Sequence, residues 1–143
     1  MCIRDRVEAA AGRSVKDIFA SEGEAAFRAL ERDAVAEACA LPDAVIATGG
    51  GALVDPENRR RLAAAGPIVC LTATPEEILR RVGRTETRPL LAGLSSDAAR
   101  LDRIREMLAS RAAAYGSATH IVDTSGCTPD QVVQRVRTVM EAR

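Results

Sequence analysis

The sequence predicts an α/β fold built on a parallel sheet, and three observations carry that reading. Short apolar runs at Ala44–Thr48, Ile68–Leu71 and Thr119–Asp123 alternate with helix-forming segments of about ten residues or more. Three of those segments open on a capping residue followed by proline at the first helical position: Asp55-Pro56, Thr74-Pro75 and Thr128-Pro129. The first run, Ala44-Val45-Ile46-Ala47-Thr48, has no polar alternation, which suits a strand covered on both faces, and ends on three glycines.

Each element follows from its punctuation. Ser21-x-x-Glu24 reads as a capping box that opens a helix through about Ala40, with Phe27, Leu30, Ala34 and Val35 at helical spacing. Asp55-Pro56 starts a helix that Gly66 stops. Thr74-Pro75-Glu76-Glu77 opens a helix through about Val82. A polar, glycine-containing stretch from Gly83 to Ser96 precedes a long helix from about Asp97 to Ala114. Thr128-Pro129-Asp130-Gln131 starts the last one.

Composition excludes several function classes. The 143 residues carry 20 basic and 20 acidic side chains, so the formal net charge is zero and no global attraction to nucleic acid or anionic membrane is expected. Runs such as Arg59-Arg60-Arg61 read as solvated helix faces. No apolar run approaches the roughly 20 residues of a membrane span, and no signal-peptide pattern opens the chain. Four scattered cysteines without CxxC spacing fit free thiols in a reducing cytoplasm, and with a single histidine they make a zinc site improbable. His120, inside the third strand, reads as structural.

The first six residues, MCIRDR, back-translate to ATG-TGT-ATA-AGA-GAC-AGN, which resembles a transposase mosaic-end adapter. Residues 1–6 are therefore expected to be adapter-derived, with the native reading from Val7 and upstream sequence missing.

In open parallel sheets ligands bind at the carboxyl ends of the strands, where Gly49-Gly50-Gly51 lies. A turn needing positive φ would also explain glycine there. The familiar phosphate-cradling loop, G-x-x-x-x-G-K-[ST], occurs nowhere in the 143 residues.

The segments GRSVKDIF, EGEAAFRALE, ATGGGA, TRPLLAG and SRAAAY, in this order and at these intervals, resemble shikimate kinase from about Val7 to the C-terminus. The resemblance implies a three-layer P-loop kinase fold whose intact sheet has strand order 2-3-1-4-5, and transfer of the ATP γ-phosphoryl group to the 3-hydroxyl of shikimate with Mg2+. It implies that Arg28 and Arg111 bind the shikimate carboxylate, a task that suits planar guanidinium groups. Gly49, Gly50 and Gly51 would lie under the shikimate ring, with the Gly50 amide as the contact. Arg88 would be the catalytic arginine of a lid over residues 83–96, closing on the phosphates and excluding water. Arg81 would pack against adenine, and the Ser125–Pro129 loop, with Pro129, would form the other side of the base pocket.

Two departures shape the expectation for this chain. The strand, phosphate loop and helix that open the family are absent, so no lysine reaches the γ-phosphate, no hydroxyl binds magnesium and no metal ligand is expected here. The family's Asp-x-Asp falls on Cys2 and Arg4, and Asp5 is out of register. With the first two strands missing, Ala44–Thr48 should border a gap, leaving unpaired backbone and apolar faces that destabilise the isolated chain. The chain is expected to be inactive alone, and the intact enzyme a cytoplasmic monomer. A noncatalytic shikimate-binding or vestigial module, and a kinase for another small hydroxylated substrate such as gluconate, are the competing readings.

Overall fold

The computed structural model describes residues 1–82, 91, 93, 94 and 96–142. They form two compact units, one spanning Met1–Gly66 and one built from Pro67 onward.

The first unit is helical. α1 (Ile3–Ala11) ends at Gly12, whose φ of 66° is a left-handed C-cap open to glycine. α2 (Val15–Cys39) begins at Ser14, whose hydroxyl accepts from the Asp17 amide at 3.2 Å. α1 packs against α2, and α2 against α3 (Pro56–Ala65). Ile3, Val7, Ile18, Phe27, Ala34, Val35, Ala38, Leu53 and Leu62 are buried. α3 starts where the sequence indicates: Asp55 accepts from the Glu57 and Asn58 amides, Pro56 occupies the first turn, and Arg32 of α2 donates to Asp55 at 2.5 Å.

Two expectations need correction here. The capping box at Ser21 does not form: the helix opened by Ser14 is broken at Gly23, whose φ of 82° and ψ of −178° only glycine adopts readily, and the stretch bearing Phe27 resumes after that kink. Ser21 donates back to the Asp17 carbonyl instead of capping, and Glu24 turns to Arg28. Within the helical unit Ile3 and Val7, four apart, put their side chains in the core at 1% exposure each. Finally, Ala44–Thr48 is neither a regular strand nor buried. Its ordered pairing is a single parallel bridge, in which Ala47 donates to Met1 O at 2.7 Å and Ile3 donates to Ala47 O at 3.0 Å. Met1–Ile3 thus lies along an edge expected to be bare, with the Met1 amino group donating to Val45 O at 2.6 Å, while the Val45 side chain stays 86% exposed.

The second unit is the α/β part. β1 (Val69–Thr72) and β2 (His120–Asp123) pair in parallel, with Val69 opposite His120 and Thr72 opposite Asp123. α4 (Pro75–Val82) and α5 (Asp97–Gly116) pack together, and α6 (Pro129–Glu141) packs on β2. Cys70 and Val122 are buried, whereas Leu71 and Ile121 are 55% and 57% exposed, the uncovered apolar surface expected of a short sheet. The capping box at the start of α6 is complete: Thr128 accepts from the Gln131 amide, and the Gln131 side chain accepts from the Thr128 amide.

Candidate functional site

In the first unit the helical register after Gly23 sets the site. Phe27 faces the core, its ring 5.0 Å from that of Phe19, and Arg28, one residue on, leaves the core with its guanidinium 5.2 Å from the Phe27 ring. Glu24 and Glu31 flank Arg28 at i−4 and i+3, the spacings that bring side chains together on a helix. Nε and Nη2 of Arg28 donate to Glu24 Oε1 at 3.2 and 2.9 Å, and Nη1 donates to Glu31 Oε2 at 2.7 Å. Glu31 is only 2% exposed, so the ion pair is shielded on that side. Partial burial works against the Arg28 charge, but the bonds to Glu31 and Glu24 outweigh it and raise the pKa. These bonds engage Nε and one hydrogen on each Nη, which leaves a second hydrogen on each Nη for an anionic ligand.

The glycine turn closes on that arginine. A Cβ at Gly51 would lie 2.6 Å from both Nη atoms of Arg28, and one at Gly49 would sit 3.7 Å from Glu31 Oε1. Gly51 has φ −93° and ψ −18°, and neither Gly49, Gly50 nor Gly51 has positive φ. Backbone strain therefore does not explain this glycine; clearance for the guanidinium does. Gly50 lies between the two in the same turn.

In the second unit Arg81, on the last turn of α4, reaches the end of β2. Its Nε donates to Glu77 Oε1 at 2.7 Å, Nη1 to Thr124 Oγ1 at 2.7 Å and Nη2 to the Thr124 carbonyl at 2.5 Å. Arg80 is largely exposed and pairs with Glu77. The Glu77 carboxyl is held down to about 2, chiefly by the hydrogen bond from Arg80 and, against some desolvation, by that from Arg81. Thr124 is buried and opens the loop that leads to Pro129, the first residue of α6. Ser125 Oγ in that loop accepts from the Thr74 amide and donates to Asp123.

Arg111 lies on α5, its Nη1 3.4 Å from the Tyr115 hydroxyl. Arg88 and most of the 83–96 lid lie outside the described residues. The structure therefore joins Arg28 to Gly49 and Gly51 in one unit, and Arg81 to the Thr124–Pro129 loop in the other. Cys2 and Arg4, at the family's Asp-x-Asp positions, sit at the N-cap and first turn of α1; Arg4 and Asp5 are exposed. His120 is half-buried in β2. Among the described residues no group of three or more His, Cys, Asp or Glu is placed to hold a metal ion. No helix among them is long and apolar enough to cross a membrane.

Four residues of these clusters escape the sequence reading: Glu24, Glu31, Glu77 and Thr124. The signal for the first two was present, since EGEAAFRALE places a glutamate four before and three after the arginine. Thr124 carries no local signal, because its partner is 43 residues away.

Comparison with known proteins adds a consistent set of likenesses. The shikimate kinase family model matches residues 5–141. A shikimate kinase of Caldanaerobacter subterraneus subsp. tengcongensis is 43% identical over 130 residues, 91% of this chain and 74% of that protein. The crystal structure of a shikimate kinase from Bacteroides thetaiotaomicron superposes with a TM-score of 0.87 at 29% identity, over 99% of this chain and 82% of that one. A shikimate kinase from Acinetobacter baumannii in complex with shikimate gives 0.88 at 27% identity, over 99% and 79%.

Proposed function

The chain belongs to the shikimate kinase family, and from that premise we propose that it serves the ATP-dependent phosphorylation of the 3-hydroxyl of shikimate. The observation that carries the assignment to these residues is the seat of Arg28: a guanidinium laid on Gly51, held by Glu24 and the buried Glu31, with hydrogens left for a carboxylate. A fixed, planar donor of this kind suits the carboxylate that shikimate carries. Arg111 is the second carboxylate ligand, and the Gly50 amide contacts the ring. Arg81 and Pro129 flank the base of ATP, while Arg88 meets the transferred phosphoryl group and supplies positive charge where negative charge moves. The enzyme acts in the cytoplasm as a monomer.

The phosphate cradle is the exception. The 143 residues contain no G-x-x-x-x-G-K-[ST], so the backbone nest, the lysine and the hydroxyl that would hold Mg2+ and the γ-phosphate have no counterpart in this sequence. The reading is therefore an N-terminally truncated kinase chain that binds shikimate but does not turn it over alone. The absent loop equally supports a second reading, a shikimate-binding module without catalysis. An ADP-release assay separates the two. Turnover with shikimate, and not with gluconate, should appear once a strand–loop–helix unit bearing that sequence is fused ahead of the chain. Release by the unfused chain would contradict the truncated reading, and release stimulated equally by gluconate would contradict the substrate.

A further inference from the structure

We propose that Thr124 and Glu77 are positioning residues that lock the plane of the Arg81 guanidinium and so present its open face to the purine base. The inference rests on the reading of Arg81 as the base-side arginine.

A guanidinium carries all its N–H bonds in one plane, so acceptors around its rim fix that plane without covering its faces. Arg81 has an acceptor on each of its three nitrogens: Glu77 at Nε, the Thr124 hydroxyl at Nη1 and the Thr124 carbonyl at Nη2. The arginine side chain nevertheless remains 36% exposed. Base stacking and cation–π contact need just such a face, and their strength depends on its orientation.

The lock is itself anchored. Thr124 donates to the Thr72 carbonyl twice, from its amide at 2.8 Å and from its hydroxyl at 2.9 Å. The single hydroxyl proton is thus committed to Thr72, and the oxygen lone pairs are left to accept from Arg81. This fixes the guanidinium to the carboxyl ends of both β1 and β2, the edge at which ligands bind in parallel sheets. Glu77, one turn earlier on α4, holds Nε from the other side. Thr124→Val would keep the shape of threonine, delete both the acceptor at Nη1 and the hydroxyl's own bond to the Thr72 carbonyl, and leave the backbone acceptor at Nη2. Serine would restore the hydroxyl.

The test uses adenosine, which needs no phosphate cradle, and the 143-residue chain. Saturation-transfer NMR measures adenosine affinity, and proton–nitrogen spectra report whether the Arg81 Nη hydrogens are resolved, as they are when rotation is frozen. The expected result is that Thr124→Val merges the Nη signals and weakens adenosine by about three- to tenfold, the scale of one ordinary hydrogen bond, whereas Thr124→Ser keeps both near wild type. Should Thr124→Val not fold, Glu77→Ala is read in its place, with the same weakening expected. Wild-type affinity in the positioning variant, together with weakened binding in Arg81→Ala, would overturn the lock and leave the base-side role of Arg81 standing. Adenosine binding unchanged in Arg81→Ala, or absent in wild type, would overturn both.

Discussion

Gly51 is glycine because Arg28 occupies the space its side chain would need. A Cβ there would stand 2.6 Å from Nη1 and Nη2, well inside any contact that real atoms make. The obstructing atoms are the tip of a flexible side chain, and φ at Gly51 is ordinary, so the backbone has no objection to alanine. Gly51→Ala should therefore shift the melting temperature by only about one to four degrees, since Gly→Ala at a compatible φ is worth only about +0.4–1 kcal/mol. It should weaken shikimate about tenfold by displacing the guanidinium. Thermal melts and calorimetry on the same sample separate the two effects.

Glu31 makes the opposite trade. It is a buried carboxylate whose visible partner is Arg28, so removing it strands a cation and empties a packed position. Glu31→Ala should lower both stability, on the order of 2 kcal/mol, and shikimate affinity. Urea denaturation and ligand titration would report them, and a variant that lost neither would remove Glu31 from the site.

Ile3 tests whether the first residues belong to the folded unit. Its side chain is 1% exposed beside Val7, and both pack where α1 meets α2. Ile3→Ala should destabilise the chain by about 2–4 kcal/mol. A change under roughly 0.5 kcal/mol, the ordinary range for a surface site, would mean that α1 is not packed as described.

Glu77 sets a pH limit on the Arg81 cluster. Its folded value is depressed from 4.5 to about 2. The stabilisation it gives is therefore fully present above about 4.5, declines as pH falls below that, and is lost through about 2. Carbon-detected titration of the Glu77 carboxylate, followed to acid pH, should place its midpoint well below the ordinary glutamate value of 4.5. A midpoint near the ordinary glutamate value would contradict the pairing with Arg80 and Arg81.

The local sequence made most helix boundaries and two strands legible, because their signals are local: Asp55-Pro56, Thr74-Pro75 and Thr128-Pro129 all cap where they should. It misjudged places where a signal competes with another. Ser21-x-x-Glu24 satisfied the capping pattern, but Ser14-x-x-Asp17 satisfied it earlier, and Gly23 supplied the break. Ala44–Thr48 looked buried because apolar composition reports what a segment tolerates, not what covers it. Of the site, the arginines and glycines could be named from the resemblance. Their relation could not: clearance of Gly51 for Arg28, and acceptance of Arg81 by Thr124, are contacts between residues 23 and 43 apart.

Calorimetric titration of shikimate into the 143-residue chain, beside Arg28→Ala, tests the central assignment most directly. The expected result is measurable binding by the wild-type chain without any nucleotide, and a loss of at least about tenfold on removing the guanidinium, the scale of a charge-assisted carboxylate contact. Equal affinity in the two proteins, or gluconate bound as tightly as shikimate, would contradict it.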